Sequence, residues 1–242
     1  MEAIRATGLC KTYRDVTAVK GLDLTVAQGE LFALLGVNGA GKTTAIRMLT
    51  CLTQPTAGEA WILGKSILKD TAEVKETIAI SPQETAVAPG LTVRENLALI
   101  CGVHGYSREK TRTSVDDMER LMGLAPVMNR RAGKLSGGWQ RRLSIAMALI
   151  SQPQVLFLDE PTLGLDVIAR SELWRLIRGL KGRVTIILTT HYLEEAEALS
   201  DRIGVMKDGR LVACGTAAEL MQIAEASDFQ TAFIRLAGRD AE

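Results

Sequence analysis

Residues 31–52 read LFALLGVNGAGKTTAIRMLTCL. The apolar run 31–35 predicts a buried strand. Gly36-Val37-Asn38-Gly39-Ala40-Gly41 forms a glycine-rich turn. Lys42, Thr43 and Thr44 then open a segment in which Ile46 and Leu49 recur at helical spacing. The whole is a G-x-x-x-x-G-K-[ST] pattern in the setting its chemistry requires, with a strand before and a helix after. Glycines let the backbone wrap closely and aim successive N–H groups inward. The helix N-terminus adds partial positive charge. Such a loop cradles phosphates. Lys42 is placed to set its ammonium on the β- and γ-phosphates of a nucleotide, and the Thr43 hydroxyl to reach Mg²⁺.

The 242-residue chain is long enough for one large α/β domain or a core with a subdomain. Hydrophobic residues make up 47% and charged residues 24%, which predicts a sizeable core. A formal net charge of +1 argues against bulk nucleic acid as a partner. The basic pairs Arg130-Arg131 and Arg141-Arg142 read as solvated faces. Cys10, Cys51, Cys101 and Cys214 form no C-x-x-C pair and read as reduced thiols of a cytosolic protein. The start, MEAIRATGLC, holds no apolar h-region of a secretory signal. No apolar run approaches the roughly 20 residues that span a bilayer. Work at a membrane would need spans from another chain.

Residues 3–26 alternate as strands do, with 16–19 and 22–26 separated by Lys20-Gly21, a predicted turn. Tyr13 follows the first strand. From position alone it reads equally as a ring that stacks on adenine or as an ordinary strand aromatic. Pro55-Thr56-Ala57-Gly58 breaks the helix after the phosphate loop. Residues 59–63 and 77–81 predict further strands, the second ended by Pro82-Gln83. From Leu91 to about Leu124 the spacing is helical, starting at a capping box of Thr92 and Glu95. This block reads as an inserted helical subdomain. Leu135-Ser136-Gly137-Gly138 precedes a helix over 139–151 with Trp139, Leu143, Met147 and Ile150 on one face. Two glycines there are costly unless the backbone approaches something. Ser136 is placed to cap, and the helix start is a further anion site. Taken alone, this segment reads as a plain N-cap.

The continuous apolar run 155–158 predicts a strand that ends in Asp159-Glu160-Pro161. In a parallel sheet, ligand-binding groups gather at the carboxyl ends of strands. Asp159 is thereby placed to face the phosphate loop and hold Mg²⁺. Glu160 leaves the strand in another direction and is the candidate general base for an attacking water. Gly164-Leu165-Asp166 forms the next loop, followed by a helix over 167–180 and a strand over 184–190. His191, one of two histidines, ends that strand in register with Asp159 and is placed to face the γ-phosphate. Residues 193–199 are helical. Lys207-Asp208-Gly209 makes a hairpin turn. Capping boxes at Thr216–Glu219 and at 227–230 start two short helices, with polar last residues expected to fray. Alternating strands and helices predict a mostly parallel sheet.

These motifs, in this order, resemble the nucleotide-binding subunit of ATP-binding cassette (ABC) transporters over about residues 4–215. GVNGAGKTT resembles Walker A, LSGGWQRRLSIAMALI the signature segment, VLFLDEPTLGLD Walker B with the D-loop, and TTHYLEEAEALSDRI the switch-histidine segment. The resemblance implies an α/β P-loop core with an N-terminal antiparallel β-subdomain and an inserted helical subdomain. Residues 1–215 would form the ATP-binding domain, with the helical insertion over about 85–150 and a helical tail over 216–242. It implies Mg-ATP held by residues 36–44, with Tyr13 stacked on adenine and Thr43, Gln83 and Asp159 at the metal. Glu160 and His191 would be catalytic. Ser136, Gly137, Gly138 and the Asp166 loop would close on ATP bound by a second nucleotide-binding subunit, identical or not. Trp139 departs from the glutamine many members carry after LSGG, with Gln140 one residue later.

LSGGWQRRL and HYLEEAEALSDRI are most similar to the exporter branch whose permease is a separate chain. The resemblance thus implies an ATPase on the cytoplasmic face of the cell membrane, held there by integral permease subunits. The alternative is an ABC ATPase acting on a ribosome, DNA or a cluster-assembly machine. Several such families carry two cassettes or a long coiled-coil insertion, and this chain has neither.

Overall fold

The computed structural model describes residues 1–238. The chain opens with two long antiparallel strands, β1 (Glu2–Tyr13) and β2 (Val16–Ala27). Next come β3 (Leu31–Leu35) and α1 (Lys42–Leu49). Then follow β4 (Ala57–Ile62), β5 (Lys65–Ser66), α2 (Thr71–Thr77) and β6 (Ile78–Ser81). Three helices intervene: α3 (Val93–Val103), α4 (Arg108–Leu121) and α5 (Gly137–Leu149). Strand and helix then alternate through β7 (Val155–Asp159), α6 (Val167–Arg178), β8 (Thr185–Thr190) and α7 (Leu193–Leu199). The hairpin β9 (Arg202–Lys207) and β10 (Arg210–Gly215) precedes the short helices α8 (Ala217–Ile223) and α9 (Phe229–Ala237).

Six strands form one sheet in the order β10-β9-β3-β8-β7-β6. From β9 to β6 it is parallel, and the β10 edge is antiparallel. A second, antiparallel sheet has the order β2-β1-β4-β5. Every residue of β3, β7 and β8 is buried, which explains the apolar runs 31–35, 155–158 and 186–188 within them. Leu31, Ala33 and Leu35 face one core with Leu156, Leu158, Ile186 and Leu188, covered by the helices. Phe32, Leu34, Phe157 and Ile187 face the other, closed by α1 and the small sheet. Phe32 and Phe157 are among the largest fully buried side chains. Truncating either to alanine would cost about 3–5 kcal/mol.

This order brings the carboxyl ends of β3, β8 and β7 side by side. Leu35 pairs with Thr190, and Asp159 with Thr189. The phosphate loop, the Asp159-Glu160 corner and His191 therefore meet at one edge.

Several local expectations change. Lys20-Gly21 makes no turn: β2 is continuous, and Gly21, at φ +76°, sits where the register slips between Leu9↔Leu22 and Cys10↔Lys20. A bulge uses the same glycine freedom as a turn. The reversal lies at Arg14-Asp15. The helical stretch from Leu91 divides into α3 and α4 at Gly105, whose φ is +67°. The expected single apolar face of α5 is too narrow, because Arg141, Ser144, Ile145 and Ala148 are buried as well as Leu143. The boxes at Thr92 and Thr216 form on both sides. At the last helix Asp228, not Ser227, is the cap, its carboxylate accepting from the Thr231 N–H. The expected fraying concerns residues 239–242, outside the described residues. Among the described residues no helix is long and apolar enough to cross a membrane.

Candidate functional site

The phosphate loop is closed by glycine geometry. Gly41 takes φ +102° at the N-cap of α1, and a Cβ there would lie 2.5 Å from the Ala18 carbonyl oxygen. Gly36 has the same need for space, since its Cβ would meet the Met206 carbonyl oxygen at 2.6 Å. Side chains at these positions would push the loop away from β2 and β9. The start of α1 carries no side-chain cap and no acidic residue in its first turn. Its first N–H groups lack partners within the helix and face the loop's concavity.

Lys42 is 5% exposed, and its ammonium donates to the carbonyls of Gly36 at 2.7 Å and Val37 at 3.2 Å. It also lies 3.7 Å from Glu160 Oε1. Burial pulls its pKa below the ordinary lysine value, opposed by the charges of Glu160 and Asp159. Asp159 is buried beside it. Its Oδ1 accepts from the Thr43 hydroxyl at 3.3 Å and from the Thr189 hydroxyl at 2.5 Å.

Glu160 turns out of the strand in the left-handed region, at φ +47°. Its N–H is shared between the Thr189 carbonyl at 3.1 Å and the Thr189 hydroxyl at 3.0 Å. Its carbonyl accepts from Arg141 at 2.7 Å. Its side chain reaches both Lys42 and His191, whose Nδ1 lies 3.1 Å from Oε2 in close contact without hydrogen-bond alignment. Glu160 thus stands between the phosphate loop and His191.

A cavity of about 550 Å³ is lined by Asn38, Gly39, Ala40, Gly41, Lys42, Thr43, Thr44, Gln83, Glu160 and His191. It brings together most of the expected site. Gly36 and Val37 serve through the carbonyls that hold Lys42, and Asp159 stands behind Thr43. Tyr13 lies outside this lining, 41% exposed, with the Lys11 ammonium 5.0 Å from its ring centre. Ser136, Gly138 and Asp166 line a different groove of about 310 Å³, with Trp139, Arg142 and Glu172. Gly137 adjoins it at the start of α5. Ser136 occupies the cap position without making a side-chain cap bond. Asp166 caps α6 by accepting from the Ala169 N–H. Gly138 has a local packing reason, since a Cβ there would sit 3.0 Å from Ala169 Cβ. The Trp139 ring lies under the Arg142 guanidinium, 4.6 Å away.

The donor set fits a nucleoside triphosphate with a divalent cation. One cation, two hydroxyls and a helix start face the cavity, and a carboxylate stands behind Thr43. Among the described residues no three or more His, Cys, Asp or Glu side chains form a cation cage. Mg²⁺ would be held by Thr43, Asp159 and Gln83 together with phosphate oxygens.

Two buried side chains at this site lie outside the expected set. Arg141, expected on a solvated face, is 3% exposed, and among the described residues its guanidinium bonds only backbone carbonyls. Thr189 is fully buried and bonds both members of the acidic pair. A threonine at the carboxyl end of a core strand, in register with Asp159, was the available signal. Glu195 on α7 is also fully buried and accepts from Trp174 Nε1 at 3.0 Å. Burial pushes its carboxyl above the ordinary value, against the downward pull of Thr190, Thr162, Trp174 and Arg170.

Fold and site together define a P-loop nucleotide-binding protein with a parallel-sheet core. The ABC transporter family model matches residues 19–163. Over 219 residues the chain is 42% identical to the daunorubicin/doxorubicin resistance ATP-binding protein DrrA of Streptomyces peucetius, covering 90% of this chain and 66% of that one. It is 42% identical over 221 residues to the Nod factor export ATP-binding protein I of Rhizobium sp. (strain N33), covering 91% and 73%. It matches the human phospholipid-transporting ATPase ABCA3 at 42% identity over 90% of this chain, but spans only 13% of that protein. Among solved structures, cbiO1 from Clostridium perfringens, part of the ABC transporter complex cbiONQ, superposes with a TM-score of 0.84 at 28% identity over 91% of both chains. The dimeric post-hydrolysis state of the ATP-binding cassette MJ0796 bound to ADP and Pi gives 0.78 at 27% identity, covering 88% and 98%. The chain belongs to the ABC transporter family and folds as its ATP-binding cassette.

Proposed function

We propose that this chain is the ATP-hydrolysing subunit of an ABC exporter, pairing head to tail with a second nucleotide-binding subunit around two Mg-ATP to drive a separate membrane permease. The carrying observation is the convergence of Lys42, Asp159, Glu160 and His191 at one cavity edge. In this reading the loop N–H groups and Lys42 bind and neutralise the phosphates. Thr43, Gln83 and Asp159 hold Mg²⁺, which supplies charge stabilisation for in-line phosphoryl transfer. Glu160 takes the proton from the attacking water, and His191, in contact with it, holds that carboxylate and the water in line. Tyr13, exposed at the end of β1, is the ring this reading offers to the base. Ser136, Gly137, Gly138 and Asp166, which lie apart from the cavity, meet the partner's nucleotide.

Export is supported by the relative named for Nod factor export, the dimer by the dimeric cassette, and assembly with further transporter subunits by cbiO1, part of the cbiONQ complex. The expected location is the cytoplasmic face of the cell membrane, through the permease. The first test is turnover of ATP by the purified chain with and without Mg²⁺; no Mg²⁺-dependent phosphate release would sink the enzymatic part. The second is mild-detergent co-purification from native membranes. A stoichiometric multi-spanning partner is expected; recovery with ribosomal or DNA-repair proteins instead would contradict the transporter part.

A further inference from the structure

The site uses one buried charge for which the ATPase reading has no role. Arg141 lies one turn inside α5, the helix whose start carries Gly137 and Gly138. Its guanidinium donates to three carbonyls and, among the described residues, to no carboxylate. Nη1 donates to the Pro82 carbonyl at 2.5 Å, and Nη2 donates to the carbonyls of Gln83 at 3.0 Å and Glu160 at 2.7 Å. These oxygens belong to two different segments: the one leaving β6 through Gln83, and the corner that presents the candidate base. A planar fork of fixed donors suits such a span, and a lysine ammonium does not. The nearby Ser144–Ser81 hydroxyl pair, 3.1 Å apart, fastens α5 to β6 at a second point.

The Glu160 contact is the informative one. Glu160 adopts φ +47°, a conformation that non-glycine residues rarely hold without restraint. Its N–H side is restrained by Thr189 of β8, and its carbonyl side by Arg141. Both peptide groups that set the direction of the carboxylate are therefore fixed, one by the sheet and one by α5. A shift of α5 relative to the sheet must pull on the Glu160 carbonyl and on the Gln83 segment together.

We infer that Arg141 is a positioning residue that aims the Glu160 carboxylate and ties its setting to the start of α5 and to the Gln83 segment. This rests on the ATPase reading above. It means that contact at the Ser136–Gly138 groove is passed to the chain's own base through one side chain.

The test uses the full chain carrying Arg141→Lys and Arg141→Gln, alone and in a Glu160→Gln background. Nucleotide affinity is measured by calorimetry, hydrolysis by steady-state and single-turnover assays, and folding by thermal melts. In the otherwise unmodified chain, each substitution is expected to lower kcat at least tenfold while KM and ATP affinity stay within twofold. In the Glu160→Gln background, the residual single-turnover rate is expected to change less than twofold, because the group that Arg141 aims is already gone. A general structural defect would instead lower both backgrounds by the same factor, and that result would overturn the inference. So would kcat within twofold of the unmodified chain, or failure of both variants to fold, which would assign Arg141 to stability alone. Absence of turnover in the unmodified chain would overturn the ATPase reading itself, and this inference with it.

Discussion

Thr189→Val removes one hydroxyl and keeps the side chain's shape. The site is fully buried, and the deleted oxygen donates to Asp159 Oδ1 at 2.5 Å and accepts from the Glu160 N–H at 3.0 Å. The Glu160 N–H keeps the Thr189 carbonyl at 3.1 Å, so the loss falls on Asp159, left with Thr43 at 3.3 Å. A hydrogen bond to a charged acceptor contributes about 1.5–3 kcal/mol. At about 2–4 °C per kcal/mol for a chain of this size, the melting midpoint should fall by about 3–12 °C. The carboxylate also loses the group that orients it, and removal of such support lowers metal affinity by about 10–100-fold. Calorimetric titration of nucleotide binding at graded Mg²⁺ reads the second effect, and thermal melting the first. Thr189→Ser restores the hydroxyl and should recover most of both. A valine variant with an unchanged midpoint and unchanged Mg²⁺ dependence would refute the role given to this hydroxyl.

Three further outcomes are expected. Lys42→Ala should weaken ATP binding by roughly tenfold or more, the scale of one charge-assisted contact; unchanged binding by calorimetry would sink the phosphate-loop assignment. Gly41→Ala forces a methyl group into φ +102° and to 2.5 Å from the Ala18 carbonyl oxygen. The conformation alone costs about 1–2 kcal/mol, so both the melt and nucleotide affinity should drop; a wild-type melt would contradict the close approach of loop and β2. Glu195 has a folded-state pKa raised above its ordinary 4.5, chiefly by burial. The folded chain therefore binds the proton more tightly than the unfolded one. The stability this contributes is full below 4.5 and falls as pH rises through the folded value. Glu195→Gln stays neutral, so its melting midpoint should gain on the parent as pH rises from acid to alkaline; parallel pH curves would contradict a raised carboxyl.

The site's legible parts are those whose chemistry is local. Residues 36–44 form a loop whose spacing fixes its own geometry, and Asp159-Glu160 stands at the end of an unbroken apolar strand. His191 reads in the same way, one residue past β8. What escapes reading depends on neighbours distant in sequence. Gly21 has the same positive φ in a bulge as in a turn, and only the β1 register separates them. Arg141 reads like the half-buried Arg142 beside it until Pro82, Gln83 and Glu160 pack onto its face of α5. Thr189 passes for an ordinary β-branched strand former, although its hydroxyl is held by the acidic pair. Ser136 has the cap position without the cap bond, so helix-start chemistry alone misjudges its side chain. Asp228 takes the capping role from Ser227, whose hydroxyl donates to the Asp228 carboxylate instead.

The most direct measurement is made on Glu160→Gln, the isosteric replacement of the carboxylate between Lys42 and His191. Nucleotide affinity, steady-state turnover and size-exclusion elution with Mg-ATP are compared with the unmodified chain. The expected result is retained ATP binding, near-complete loss of hydrolysis and accumulation of an ATP-bound dimer. Near-normal turnover in this variant would contradict the assignment of Glu160 as the base and, with it, the catalytic reading of the cavity.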